Sequence, residues 1–224
     1  MKIADVSTTE LRDADVDVAL LPTGSTEGHG PHAPLGTDAL IAESIALEAA
    51  DSEAGAAVLP TLAVGVSEEH RAFDGTLYLS PDTFRDVVSE TLESASRWFD
   101  VAVVVNGHGG NVPALREVCA RLTRDDVLFA TEWTWWRALE RDDMGHAGRL
   151  ESSLVDYLVG LRSEPVDGVD SWGRHVESSQ VAYDSDEFTE SGVVGPASEA
   201  SSEEGEELFD DAVESLSRLV EEVR

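Results

Sequence analysis

Four short apolar runs restrict the fold more than any other feature of this chain: VDVALLP at residues 16–22, AAVLPTL at 56–62, VAVVVNG at 101–107 and DVLFAT at 126–131. Each is short for a helix and apolar at consecutive positions, the pattern of a strand covered on both faces. Segments of helical period lie between and after them, at 38–50, 81–99, 112–122 and 150–161. In the second, Phe84, Val87, Val88, Leu92, Ala95 and Trp98 share a face behind an N-cap Ser80 and a first-turn Pro81. A terminal stripe of Leu208, Phe209, Ala212, Val213, Leu216, Leu219 and Val220 adds a further helix. This alternation predicts an α/β fold, a three-layer αβα sandwich around a mostly parallel sheet. Residues 164–203 are rich in Gly, Ser, Asp and Glu and read as long loops with one short strand. A length of 224 residues, without repeats, fits a single domain over 1–224.

Charge sets the next boundary. Lys and Arg number 15 against 46 Asp and Glu, a formal charge of −31. The acids are spread along a chain that is 42% hydrophobic, which fits an acid-coated folded protein better than an acidic tail or a disordered one. Such a surface repels nucleic acid and suits a halophilic setting, where salt screens self-repulsion. One cysteine, Cys119, allows no intrachain disulfide and no thiolate zinc site. The N-terminus lacks the apolar core of a signal peptide and no run approaches a membrane span, so a soluble cytoplasmic protein is expected.

Histidines and acids gather in three patches. Glu27-Gly28-His29-Gly30-Pro31-His32 and Asn106-Gly107-His108-Gly109-Gly110-Asn111 each follow a predicted strand, and His146-Ala147-Gly148-Arg149-Leu150-Glu151 opens a predicted helix. Loops at the carboxyl ends of strands form the ligand crevice of open α/β sheets. Glu27 and His29, with Asp38 at the start of the next helix, offer N and O donors that suit Zn, Mn or Fe. Singly, each residue has an ordinary role available: Asp38 as a helix cap, Glu151 as a first-turn acid facing the helix dipole, a lone histidine as packing. Together the patches indicate a metal site suited to hydrolysis.

The stretch LLPTGSTEGHGPHAPLGTDALIAESIA resembles the first signature of the creatininase family, VVVNGHGGN the second and GHAGRLESS the third, in the family's order. SGVVGPASEASSEEGEELF is similar to its C-terminal segment, so the resemblance spans nearly the whole chain. It implies an αβα fold, two divalent metal ions per subunit, zinc first with manganese or iron(II) as alternatives, and hydrolysis of a C–N bond in a homohexamer. By position, Glu27 and His108 would hold one metal, His29 the other, and Asp38 would bridge them. Creatinine-hydrolysing members carry a ligand glutamate where this chain has Gly110, and Glu151 is expected to complete the second metal instead. His146 matches the family's catalytic histidine and would pass a proton to the leaving nitrogen; Glu151 counts with it as catalytic.

Gly110 points away from creatinine. The resemblance favours a small-molecule amide, first a formylaminopyrimidine ribonucleotide, with a creatinine hydrolase or a mycofactocin-precursor-type peptidase as alternatives. SEEHRAFDGT at 67–76 resembles the peptidase. A non-catalytic metal-binding relative, or an acidic interaction protein, is the reading from a different class. His70 and His32 are candidates for lining and supporting the site, and Trp133, Trp135 and Trp136 for closing over a flat substrate or packing in the core.

At a charge of −31 the compact state depends on screening, whose Debye length falls from about 30 Å at 0.01 M salt to about 3 Å at 1 M. The melting temperature is therefore expected to fall when molar KCl is dialysed to low salt. Equal melting temperatures in both, by differential scanning calorimetry, would count against it.

Overall fold

A computed structural model describes residues 1–51 and 55–224. Strands β1 (Val18–Thr23), β2 (Ala56–Val58), β3 (Val101–Asn106) and β4 (Phe129–Thr134) form one parallel sheet in the order β2-β1-β3-β4. Along the central pair the register runs from Val18 opposite Val101 to Thr23 opposite Asn106.

Both faces of that sheet are covered, as continuous apolar strands require. Val18, Leu20, Val103 and Val105 point into a core shared with helices α2 (Thr37–Asp51), α6 (Arg149–Val159) and α7 (Ser202–Val223). Their neighbours Ala19, Leu21, Ala102 and Val104 point the other way, against α3 (Pro81–Ala95) and α4 (Val112–Arg124). The result is the expected αβα sandwich.

Local chemistry starts and stops these elements. Ser80 accepts the Thr83 amide at 3.3 Å and Pro81 occupies the first turn of α3. Ser201 does the same for Glu204 at the start of α7. Gly160, at φ +75°, ends α6. Two short helices lie outside the sequence expectation: α1 (Thr8–Asp13), closed by a reciprocal Ser7–Glu10 capping box, and α5 (Trp135–Ala138). The fourth strand begins at Phe129 rather than at residue 126, because α4 runs on to Arg124 and Asp126 turns the chain at φ +56°. Residues 164–203 are loops, as expected, with two two-residue strands, β5 (His175–Val176) and β6 (Ser179–Gln180), in place of one.

The strand order positions the site. From β1 the chain crosses to β2 on one side, then returns to place β3 on the other. The loops leaving the carboxyl ends of β1 and β3 therefore diverge, and a crevice opens between them. Among the described residues no helix is long and apolar enough to cross a membrane.

Phe84 is fully buried between α3 and the sheet. Phe84→Ala is expected to cost about 3–5 kcal/mol through lost transfer energy and the cavity left behind. Loss of the cap in Ser80→Ala should cost about 1 kcal/mol. Urea unfolding in molar salt measures both, and a smaller loss for Phe84→Ala than for Ser80→Ala would contradict this packing.

Candidate metal centre

Four segments meet in the crevice. The loop after β1 brings Glu27 and His29, the first turn of α2 brings Asp38, the loop after β3 brings His108, and the first turn of α6 brings Glu151. All five are buried, at most 5% exposed. Asp38 divides its oxygens: Oδ1 is 2.9 Å from His29 Nε2 and Oδ2 is 3.1 Å from His108 Nδ1. Glu27 Oε1 is 3.3 Å from His108 Nδ1, and Glu151 Oε2 is 3.8 Å from His29 Nε2. Two donor sets thus share Asp38: Glu27, Asp38 and His108 in one, His29, Asp38 and Glu151 in the other, the donor atoms within each lying inside 4.8 Å. A third set joins Glu27, His29 and His146.

Each histidine is aimed by its second ring nitrogen. His29 Nδ1–H donates to the Glu27 carbonyl (3.1 Å), His108 Nε2–H to Val66 (2.8 Å) and His146 Nε2–H to Gly28 (2.8 Å), so the opposite nitrogen of each faces the carboxylates. These partners assign the tautomers, in the way outer groups orient metal-binding imidazoles. With the imidazoles in these neutral tautomers, both oxygens of Glu27 and Oδ2 of Asp38 are buried without a hydrogen-bond donor. Buried anions lacking donors, ringed by oriented imidazoles, fit divalent cations.

The protonation pattern shows how far the acids seek positive charge. Burial opposes a charged imidazole at His29, yet Asp38, Glu151 and Glu27 hold it up at about 10. Burial also opposes charge at His108, and Glu27 and Asp38 raise it well above the usual range. Burial would lift Glu27, but His108, His146 and His70 keep it well below the ordinary carboxylate value. Burial pushes Glu151 up to about 8, with the nearby Asp38 adding to the effect. His146 falls to about 3, through burial and then the charges of His29 and His70, and burial takes His70 to about 4.

The supporting residues explain the signature patterns. A Cβ on Gly107 would meet the Asp38 carbonyl at 2.2 Å, so only glycine lets the β3 loop grip the start of α2. Asn111 donates to the Gly24 carbonyl (3.1 Å) and accepts the Val66 amide (2.9 Å), tying three loops together. A Cβ at Gly110 would meet the Val66 carbonyl at 2.2 Å, leaving no room for an acid there, while Glu151 reaches the site from α6. Ala147, at φ +50°, is held on both sides: its N–H donates to Glu151 Oε2 at 2.6 Å, and its carbonyl accepts from His32 Nε2 at 3.2 Å and Ser152 Oγ at 3.0 Å. His32 thereby supports the turn beside His146.

His70 lies closer to the centre than its sequence context indicates. Its Nε2 is 3.5 Å from Glu27 Oε1, Ser185 Oγ sits 3.3 Å from its Nδ1, and its ring centroid is 4.3 Å from that of His146. Trp133 and Trp135 pack in the core, whereas Trp136 lines the cavity over the site. The aromatic over the imidazoles is Trp172, 5.4 Å from His70 and 6.0 Å from His146. Sequence reasoning missed it, and its one signal is a tryptophan isolated in a polar loop.

Fold and donor set define an α/β protein whose sheet crevice holds a buried carboxylate–histidine cluster able to take cations. The sequence model of the creatinine amidohydrolase family, the creatininases, matches residues 4–220, and the chain belongs to that family of amidohydrolases. It is 34% identical over 222 residues to the mycofactocin precursor peptide peptidase of Mycolicibacterium smegmatis, covering 92% of this chain and 85% of that one. It is 36% identical over 104 residues to the 2-amino-5-formylamino-6-ribosylaminopyrimidin-4(3H)-one 5'-monophosphate deformylase of Methanobrevibacter smithii, covering 45% and 44%. A solved mutant creatininase of Zn-Zn type superposes with a TM-score of 0.81 at 22% identity over 99% of this chain and 97% of that one. A manganese creatininase gives 0.80 at 21% identity over 99% and 97%. At these identities the structures establish the shared fold.

A Cβ placed on Gly109 would meet no atom within 4 Å, in contrast to Gly107. Gly109→Ala is therefore expected to keep near-parental stability, and Gly107→Ala to displace the start of α2 and lose more than about 1 kcal/mol. Thermal unfolding of the pair tests this, and an equally stable Gly107→Ala would refute the close approach.

Proposed function

We infer that this chain is a metal-dependent amidohydrolase, one domain over residues 1–224, holding two divalent cations on Glu27, His29, Asp38, His108 and Glu151. The observation that carries the reading is Asp38, whose two oxygens face two different imidazoles inside two three-residue donor sets. Zinc is the first expectation, with manganese or iron(II) suited to the same donors. The names of the solved zinc and manganese creatininases support that choice. When bound, the cations supply Lewis acidity and lower the pKa of a water in the site from ~15.7 toward about 7.

The protein's own groups handle the rest. Glu27, Asp38 and Glu151 provide the negative charge that retains the cations, and the backbone-tethered rings of His29 and His108 fix their positions. His146 lines the cavity with Nε2 tied to Gly28, which leaves Nδ1 to carry a proton to the leaving nitrogen. General acid catalysis of this kind contributes on the order of 10²–10⁴-fold. Trp172 and Trp136 wall the cavity and offer apolar faces to a substrate. Formamide, cyclic amide and peptide bonds all present the same reacting unit, in line with the deformylase and peptidase among the relatives. The acid surface and the family resemblance support a halophilic homohexamer acting on an amide and binding no nucleic acid.

Mass spectrometry of protein purified in molar salt is expected to find about two metals per chain, both weakened or lost in Asp38→Ala. A wild type that neither carries nor takes up metal would sink the reading. His146→Asn should keep both metals while kcat falls on the order of 10²–10⁴-fold. Loss of a metal in that variant would make His146 a ligand, the role open to it in the third donor set.

A further inference from the structure

The relatives differ in a property that the cavity can discriminate. One class acts, by name, on a 5'-monophosphate and the other on a peptide. A bound phosphate is held by Arg or Lys forks, or by free amides at a helix N-terminus. The cavity over the metal centre, about 800 Å³, is lined by Glu69, Asp142, Asp143, Asp170 and Glu151, and by no lysine or arginine.

Arginines near it in sequence already have carboxylate partners, one of them the wall residue Asp143. Arg141 and Arg149 both pair with Asp143, and Arg149 also with Glu204 at 2.7 Å. Arg71 pairs with Glu68 and Asp184. Arg174 is exposed, lies outside the lining, and acts on Glu187. The start of α6 is already turned to an acid of its own, Glu151, which accepts the Ala147 amide.

Apart from Glu151 of the donor set, three wall carboxylates make no ion pair with a lysine or arginine among the described residues: Asp142, which interacts electrostatically with its neighbour Arg141, and Glu69 and Asp170. The last two differ in exposure. Glu69 is half-buried, its Oε1 3.3 Å from where a Cβ on Gly110 would stand, in a wall that also includes His108. Asp170 is exposed, two residues before Trp172.

We propose that this cavity selects amide substrates by charge: the body beyond the reacting bond is uncharged or cationic, Glu69 and Asp170 are the carboxylates that read it, and a phosphorylated body is rejected. The proposal rests on the hydrolytic reading above. The physical basis is that a like charge facing an uncompensated wall carboxylate costs affinity, while an ammonium or guanidinium gains a charge-assisted hydrogen bond. The cations of the metal centre would engage the reacting amide and leave the body to the wall.

Isothermal titration of the zinc-loaded protein in molar KCl reads the selection without requiring turnover. The probes are three N-acetylated hexapeptide amides, identical except for a central lysine, glutamine or phosphoserine. The lysine peptide is expected to bind roughly tenfold tighter than the glutamine peptide, and the phosphoserine peptide weakest. In the double variant Glu69→Gln, Asp170→Asn the lysine preference should shrink to within about threefold. Best binding by phosphoserine, equal or absent binding of all three, or a lysine preference untouched by the substitutions overturns the proposal. Metal content of the same samples separates the two readings: protein without cations fails both, whereas cation-loaded protein without the preference fails only this one.

Discussion

Placing Glu27, Asp38 and Glu151 within one small volume, each nearly or fully buried, is the constraint around which this molecule is arranged. Removing a charge from water costs several kcal/mol even after relaxation, and neighbouring carboxylates add to it, which is part of why Glu151 is pushed up to about 8. Among the described residues no lysine or arginine pairs with these three acids: their positive partners are imidazoles, and His29 and His108 are driven far toward their charged forms. The centre is therefore a place where protons stand in for stronger cations. Metal binding would convert an internal liability into a contribution to folding, since the assembled donor set exists only in the folded chain.

That constraint accounts for the glycines and asparagines around it. Charges this close must be held rigidly, so the loops after β1 and β3 approach the first turn of α2 to distances that no side chain would allow at Gly107. Asn106 and Asn111 staple those loops, Asn106 through the His108 carbonyl and Thr134, Asn111 through Gly24 and Val66. Polar residues that look chemical in the sequence NGHGGN divide their labour: one histidine faces the carboxylates, and the asparagines fix where it stands. The left-handed turn at Ala147 belongs to the same economy of position, its strain offset by partners on both sides of the peptide.

The layers and the site's inner ring were legible because both leave signals at fixed spacing. Consecutive apolar residues can be satisfied only by a two-faced strand, and β1 and β3 alternate their side chains between the two cores as that requires. Glu27, His29, His108 and His146 stood out as acids and imidazoles in glycine-rich turns, and Asp38 and Glu151 gained weight from standing at helix starts beside them. What stayed hidden depends on contacts remote in sequence. Trp172 comes to the imidazoles from an aperiodic loop, and the cavity-facing tryptophan of the Trp133–Trp136 cluster is Trp136, a choice made by where α5 turns. β4 begins three residues late because a left-handed Asp126, which no local pattern demanded, closes the turn after α4.

Gly110 and Glu151 show how the crevice can keep its chemistry while moving an acid. At Gly110 the Val66 carbonyl occupies the direction a side chain would take, and the 65–70 segment that supplies it also carries Glu69 and His70. Packing that segment inward excludes an acid on the β3 loop but brings His70 to 3.5 Å from Glu27 and Glu69 to the cavity wall. Glu151 reaches the donor cluster because α6 starts at the same crevice, where the Ala147 amide and His32 hold the turn before it. The floor of the crevice is a carboxylate–histidine cluster, and the 65–70 segment adds the Glu69 acid to the wall above it. Selectivity within such a fold can then shift through the loop between β2 and α3 with little demand on the metal centre itself.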